Sequence, residues 1–142
     1  MVTQQPLATL PQPAVIRAFD GAVPAGFPSP SQDYQTSEID LNKHLGLRKT
    51  SCYLMRVTGH SMTLAGICDG DEIIVDRAIR PRDGHIVVAV IDGELTVKRL
   101  RIAPDGGVFL TPEHPDYPVI EIPELSDFTI WGVVTRCLHY VR

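Results

Sequence analysis

The chain of 142 residues contains 44% apolar and 21% charged residues, which is typical of one folded domain that needs neither disulfides nor metals to form its core. Its formal net charge of −4 and its scattered Lys and Arg residues argue against direct DNA binding, because nucleic-acid-binding surfaces concentrate positive charge. No apolar run approaches the about 18 residues of a membrane span, and residues 1–22 lack the features of a secretory leader. We therefore expect a soluble, cytoplasmic protein without a membrane anchor.

The cysteines and histidines suggest neither a disulfide framework nor a metal site. Cys52, Cys68 and Cys137 are odd in number and irregularly spaced, which predicts buried free thiols. The five histidines also lack the spacing of metal ligands. The sequence therefore predicts no metal and no cofactor.

The segment from residue 1 to about residue 45 is rich in turn-forming residues. The stretch "PAGFPSPSQ" alone contains three prolines and one glycine. Proline fixes φ and lacks a backbone N–H donor, so such a segment sustains neither a helix nor an inner strand. The sequence predicts a flexible, extended N-terminal arm followed by a linker.

Short β-rich runs separated by turn signals fill the rest of the chain. These runs are "CYLMRV", "EIIVD", "HIVVAVI", "ELTVKRL", "VFL", "VIEI" and "FTIWGVVTRCLHYV". Val, Ile, Thr and aromatic residues favour strands, and no long window shows the 3.6-residue periodicity of a helix. We predict an all-β domain, mostly β with short helical turns.

The stretch "HIVVAVIDGELTVKRL" predicts a β-hairpin. Asp92 and Gly93 lie between two apolar runs and tolerate the positive φ angles of a two-residue turn. The turn fixes the register of the two strands. The predicted pairs are Ile91 with Glu94, Ala89 with Thr96, and Val87 with Lys98. Lys98 is then expected beside Val87 and Thr96, an unusual place for a solvated cation.

Ser61, in "GHSM", is a candidate nucleophile that needs a neighbouring base. The ring of His60 is badly placed to be that base, because adjacent residues in an extended chain point to opposite sides. Lys98 is the better candidate. A free lysine is neutral in only about one molecule in 2,500 at pH 7, but burial lowers its pKa.

A threonine and two main-chain N–H groups are candidates to assist the Ser61–Lys98 pair. Thr96 is expected to orient the amine of Lys98, and the main-chain N–H groups of Ser61 and His60 are candidates to stabilise an oxyanion. The alternative interpretation is that Ser61 is an ordinary turn residue and that Lys98 extends to water. The residues alone leave both interpretations open.

Four stretches, taken together and in order, resemble a known family. They are "GHSM", "GICDGDEIIVD", "DGELTVKRL" and "LTPEHPDYPVIEI", and the chain resembles the LexA/UmuD group of self-cleaving serine peptidases over about residues 21–142. This resemblance implies a LexA/signal-peptidase-like β domain whose Ser–Lys dyad cuts an upstream bond of the same chain. Ser61 and Lys98 match the dyad, and Ala25 and Gly26 match the cleavage site. The implied organisation is a removable arm (1–25), a linker (26–45) and a peptidase and dimerisation domain (46–142).

The resemblance also implies partners. Because only 25 residues precede the cleavage site, we expect a UmuD-like arrangement rather than a repressor with a helix-turn-helix domain. A UmuD-like protein is a homodimer, is stimulated by a RecA filament on single-stranded DNA, and after trimming joins a UmuC-like Y-family polymerase in error-prone translesion synthesis. Two alternatives remain open: a non-catalytic dimeric module that regulates a polymerase or the DNA-damage response, and a signal-peptidase relative, which would need a membrane anchor.

Overall fold

A computed structural model describes residues 13–30, 35–48 and 50–142. The chain divides into two compact units, one ending at Leu47 and the other beginning at Arg48. Residues 1–12, which form the first half of the predicted arm, lie outside the described residues.

The N-terminal unit contains a two-stranded sheet and a short helix. Strand β1 (Val15–Phe19) pairs antiparallel with strand β2 (Thr36–Asp40), and helix α1 (Leu41–His44) follows directly. The Asp40 side chain caps the helix by accepting a hydrogen bond from Asn42 N at 3.0 Å. The prediction that no helix forms before residue 45 is therefore wrong. A single helical turn is too short to show a 3.6-residue periodicity in the sequence, but the Asp40 cap is enough to start such a turn.

The C-terminal unit is an antiparallel sheet of seven strands. In chain order these are β3 (Cys52–Arg56), β4 (Glu72–Asp76), β5 (Ile86–Ile91), β6 (Glu94–Ile102), β7 (Val108–Thr111), β8 (Ile120–Ile122) and β9 (Phe128–Leu138). A 3-10 turn (Thr63–Ala65) lies between β3 and β4. The strand order across the sheet is β3-β4-β9-β5-β6-β7-β8. The prediction of a mostly β domain is confirmed.

The sheet packs apolar side chains on both faces around its central strand, β5. Val88 belongs to one core cluster, with Met62, Ile73 and others, whereas Val87 belongs to a second cluster with Leu100 and others. Successive side chains of a strand point to opposite faces, so an uninterrupted apolar run such as "IVVAVI" is what a strand covered on both faces requires.

The β5–β6 hairpin has the predicted register. Asp92 and Gly93 form its turn with φ angles of 48° and 80°, as a type I′ turn requires. The observed pairs include Ile91 with Glu94, Ala89 with Thr96, and Val87 with Lys98. The hairpin thus carries Lys98 in the middle of the sheet rather than at its edge.

Candidate functional site

Lys98 is buried on β6, and its amine contacts Ser61. The residue is only 8% exposed, and its Nζ lies 2.9 Å from Ser61 Oγ, 3.0 Å from Thr96 Oγ1 and 3.1 Å from Val97 O. Burial lowers the pKa of Lys98 below its usual value, because the charged form loses hydration. Among the described residues, no carboxylate lies within ion-pair distance of the amine. The site therefore favours the neutral form of Lys98 more than water does.

The Ser61 turn, residues 59–67, follows β3 and contains the 3-10 turn, and hydrogen bonds of its main-chain groups hold it in place. Gly59 has a φ of 96° and donates its N–H to Asp69 Oδ1 at 2.8 Å. An added Cβ at Gly59 would meet nothing within 4 Å, so the backbone angle, and not lack of space, requires glycine there. The carbonyl of Ser61 accepts from Glu113 N at 2.8 Å. These contacts fix the main-chain position of the Ser61 turn.

His60 does not supply a ring to the Ser61–Lys98 contact. The residue is exposed, and its carbonyl accepts from Thr63 Oγ1 at 2.6 Å. Within the part of the chain that the structure describes, the main-chain N–H groups of His60 and Ser61 have no acceptor. Both donors are therefore unoccupied, and their role in binding a developing oxyanion stays a prediction.

An open cleft of about 290 Å³ surrounds the pair. Apolar side chains form much of its lining, together with Tyr117 at one side; they are Met55, Val57, Met62, Ile73, Val88, Leu95 and Val97. Such a cleft suits small apolar side chains of an extended peptide. The sequence did not predict Tyr117 as part of this lining, because the residue lies far along the chain in a loop.

Ala25 and Gly26, the predicted cleavage site, lie in the N-terminal unit. They belong to the segment that joins β1 to β2, and both residues are exposed. Residues 21–30 are exposed throughout. A peptide bond in such a loop is accessible to a peptidase, since exposed loops are preferred sites of cleavage.

Asp71 organises a second polar cluster, behind the Ser61 turn. Its carboxylate accepts from Cys68 N at 2.8 Å and from Cys137 Sγ at 3.3 Å, and it pairs with His139 Nδ1 at 2.6 Å. The Cys68 N–H and the His139 contact lower the pKa of Asp71, although burial opposes them. Burial and the neighbouring Asp71 carboxylate raise the pKa of Cys137 to about 11. This thiol is therefore unreactive at neutral pH.

The three cysteines are free thiols, but they are partly exposed rather than buried. Among the described residues, no group of three or more His, Cys, Asp or Glu side chains is arranged to hold a metal ion. No helix in the described ranges is long and apolar enough to cross a membrane.

The chain is similar to known proteins over most of its length. Residues 17–135 match the Peptidase S24-like family. Protein SamA of Salmonella typhimurium is 43% identical over 124 residues, which cover 87% of this chain and 85% of SamA. Protein MucA of Escherichia coli is 43% identical over 117 residues, 82% of this chain and 79% of MucA. A LexA repressor of Leptothrix cholodnii is 39% identical over 135 residues, 94% of this chain and 58% of the repressor.

Proposed function

Because the chain belongs to the Peptidase S24-like family, as a UmuD-like member of its self-cleaving LexA/UmuD group, we propose that it cuts its own Ala25–Gly26 bond with a Ser61–Lys98 dyad. The observation that carries this proposal is the 2.9 Å contact between Lys98 Nζ and Ser61 Oγ, made by a buried lysine that has no carboxylate partner among the described residues. A solvated lysine is protonated at neutral pH and would be useless as a base. Burial reduces that obstacle, because it lowers the pKa of Lys98.

The three oxygen contacts of Lys98 Nζ can be made by an ammonium or by a neutral amine. A neutral amine has two N–H donors and one lone pair, whereas an ammonium has three donors and no lone pair. Val97 O can only accept, and Thr96 Oγ1 is able to accept as well. If these two oxygens take the two N–H groups, the lone pair points to the Ser61 hydroxyl, which is the arrangement that a general base needs.

The acylation step follows from this arrangement. Lys98 Nζ takes the hydroxyl proton of Ser61 while Oγ forms a bond to the carbonyl carbon of Ala25, and the carbonyl oxygen becomes an oxyanion facing the N–H groups of His60 and Ser61. The protonated lysine then gives its proton to the nitrogen of Gly26 as the peptide bond breaks. The products are a Ser61 ester of Ala25 and a free amine at Gly26.

Hydrolysis of the ester completes the cycle. Lys98, neutral again, takes a proton from water as the water oxygen attacks the ester carbon of Ala25, and the proton returns to Ser61 Oγ when the ester bond breaks. Residues 1–25 leave with a new carboxylate. Because the substrate is a segment of the same protein, the rate depends on how often Ala25 docks at the cleft.

Cleavage would also weaken the N-terminal unit. The cut lies between β1 and β2, so the two sides would be held by five residue pairs of the strands and by three hydrogen bonds that flank them. A two-stranded sheet is marginally stable in water even when its strands are covalently joined. We therefore expect residues 1–25 to leave after cleavage, with residues 26–45 remaining as a linker ahead of the β domain.

The UmuD-like relatives support a role in SOS mutagenesis. In this proposal the protein is a cytoplasmic homodimer, and its trimmed form is an accessory subunit of a UmuC-like Y-family translesion polymerase. A RecA filament on single-stranded DNA would act as activator by stabilising the docked arm, without supplying a catalytic group. The protein itself would make no direct contact with DNA.

Intact-mass spectrometry of the purified protein tests the peptidase activity. After incubation at pH 7 and at about pH 10, where even an ordinary lysine begins to lose its proton, we expect a product that begins at Gly26 and forms faster at the higher pH. The Ser61→Ala variant should give no product. Ser126→Ala is the matched control, because Ser126 is a turn serine whose hydroxyl donates to Pro123 O.

The opposite result favours the alternative function. If the wild-type chain stays whole at both pH values, even with a RecA filament on single-stranded DNA added, the dyad is not catalytic. The protein would then be a non-catalytic dimeric module that acts through its interactions.

A further inference from the structure

We propose that the ion pair between Arg99 and Glu113 positions Ser61 against Lys98. This inference rests on the proposed self-cleavage, and it adds two positioning residues to the dyad. Neither side chain touches the reacting atoms. They act by fixing the distance between two parts of the protein that are far apart in the sequence.

Arg99 joins the strand of the base to the loop that follows β7. The residue follows Lys98 on β6, and its Nε donates to Glu113 Oε1. Its Nη1 donates to Gly84 O at 2.7 Å, which holds the guanidinium from a second direction. The two paired side chains are 24% and 28% exposed, so water screens their attraction less than it screens a surface pair.

Glu113 is at the same time bound to the Ser61 turn through its main chain. Its N–H donates to Ser61 O at 2.8 Å, and its carbonyl accepts from Leu64 N at 2.9 Å. These two hydrogen bonds hold the nucleophile's segment at two points, at Ser61 itself and at Leu64 in the 3-10 turn that follows. Glu113 therefore holds the nucleophile with its backbone and the strand of the base with its carboxylate.

This double attachment matters because the Ser61 turn is not a strand of the sheet. The turn begins after β3 ends at Arg56, so no ladder of strand hydrogen bonds fixes it relative to β6. A displacement of about 1 Å in a catalytic contact can lower a rate by about 10²-fold. The ion pair between Arg99 and Glu113, called the clamp below, ties the Ser61 turn to the residue next to Lys98 and resists such a displacement.

The test uses full-length variants and two readouts. Glu113→Ala, Arg99→Ala and the double variant are compared by their self-cleavage rate and by the rate at which a small fluorophosphonate labels Ser61, a reaction that does not require the arm to dock. Matched controls are Arg101→Ala, on the same strand, and Glu121→Ala, on β8; both residues are exposed. All rates are measured well below the melting temperature of each variant.

We expect each single alanine variant to lower both rates about tenfold, the effect of about 1.4 kcal/mol in the barrier. The double variant should be no slower than either single variant, because both remove the same contact. Glu113→Gln should recover most of the activity, since its amide oxygen still accepts from Arg99. Wild-type rates in Glu113→Ala, or single effects that multiply in the double variant, would overturn the inference.

Hydrogen exchange separates a failure of the clamp from a failure of the proposed function. The Leu64 amide, which donates to Glu113 O, should exchange about tenfold faster in Glu113→Ala, whereas the amide of Leu100 in the core should not change. Unchanged Leu64 exchange contradicts the clamp. A wild-type protein that neither cleaves itself nor labels at Ser61 contradicts the peptidase, and with it any role of the clamp in catalysis.

Discussion

Lys98 and Ser61 meet at 2.9 Å from two regions that are held in different ways. The β5–β6 hairpin is one continuous segment, closed by a two-residue turn and by six consecutive residue pairs. The Ser61 turn instead combines local hydrogen bonds, such as that from Thr63 Oγ1 to His60 O, with contacts to the Asp69 carboxylate and to the main chain of Glu113. The hairpin register therefore places the base by local structure, whereas the position of the nucleophile also depends on a contact with the distant Glu113. We expect substitutions outside the dyad to change the position of Ser61 more readily than the position of Lys98.

The largest effect should come from removing the base itself. Lys98→Ala deletes the proton acceptor while leaving the hairpin register intact, so the self-cleavage rate should fall by about 10²- to 10⁴-fold, the usual contribution of a general base. Lys43→Ala, which removes an exposed lysine of α1, is the control and should cleave normally. Unchanged cleavage in Lys98→Ala, followed by intact-mass spectrometry, would remove Lys98 from the mechanism.

Two glycines with similar positive φ angles compare the two regions directly. Gly59 (φ 96°) lies in the Ser61 turn and Gly93 (φ 80°) in the hairpin turn. Alanine at either position should cost about 1–3 kcal/mol of stability through backbone strain. Only Gly59→Ala should also slow self-cleavage, by about tenfold, a change of about 1.4 kcal/mol in the barrier. Denaturant unfolding and cleavage kinetics measure the two effects.

Equal losses of self-cleavage rate in the two glycine variants would contradict the difference between the two regions. That outcome would mean that the hairpin turn also controls the position of Lys98. The positions of Lys98 and Ser61 would then be equally sensitive to changes in the turns that carry them.

Thr96→Val, which changes the surroundings of the Lys98 amine, should have a smaller effect on the cleavage rate. The substitution removes the oxygen that Lys98 Nζ contacts at 3.0 Å but keeps a β-branched side chain on the strand. Loss of one hydrogen bond of about 0.5–1.5 kcal/mol predicts a fall of about two- to tenfold in the cleavage rate. Thr129→Val on β9 is the control. A wild-type rate in Thr96→Val would show that the amine needs no orienting acceptor there.

The smallest effect should be seen in the pH dependence of stability. The pKa of Asp71 is lowered, first by the Cys68 N–H, so its stabilisation is present above the unfolded pKa of about 3.9 and disappears as the pH falls through the folded value. Asp71→Asn should therefore lose less stability than wild type between about pH 5 and pH 2, as urea unfolding would measure. Parallel losses in both proteins would exclude Asp71 from the acid response.

Most strands and the hairpin register could be predicted from the sequence because their signals are local. The run "EIIVD" became β4 without a change of bounds, and the Asp92–Gly93 turn fixed the pairing of Val87 with Lys98. A two-residue turn determines register by geometry alone. For this reason the proximity of Lys98 to Thr96 followed from the sequence.

The rest could not be predicted because it depends on contacts between distant segments. Nothing near Glu113 in the sequence indicates that its main chain binds Ser61, and nothing near Arg99 indicates its partner. The pairing of β1 with β2 was missed for the same reason, since these strands of five residues lie on either side of a proline-rich loop. Such pairings depend on tertiary context, which strand propensity alone does not capture.

The pH dependence of self-cleavage tests the central claim most directly. The first-order rate of the wild-type protein, measured by intact-mass spectrometry from about pH 6 to pH 11, should rise as Lys98 loses its proton and then level off. Because burial lowers the pKa of Lys98 below its ordinary value of 10.5, the midpoint should lie below that value. A rate that does not depend on pH, or a midpoint at 10.5 or above, would contradict a buried neutral lysine as the base.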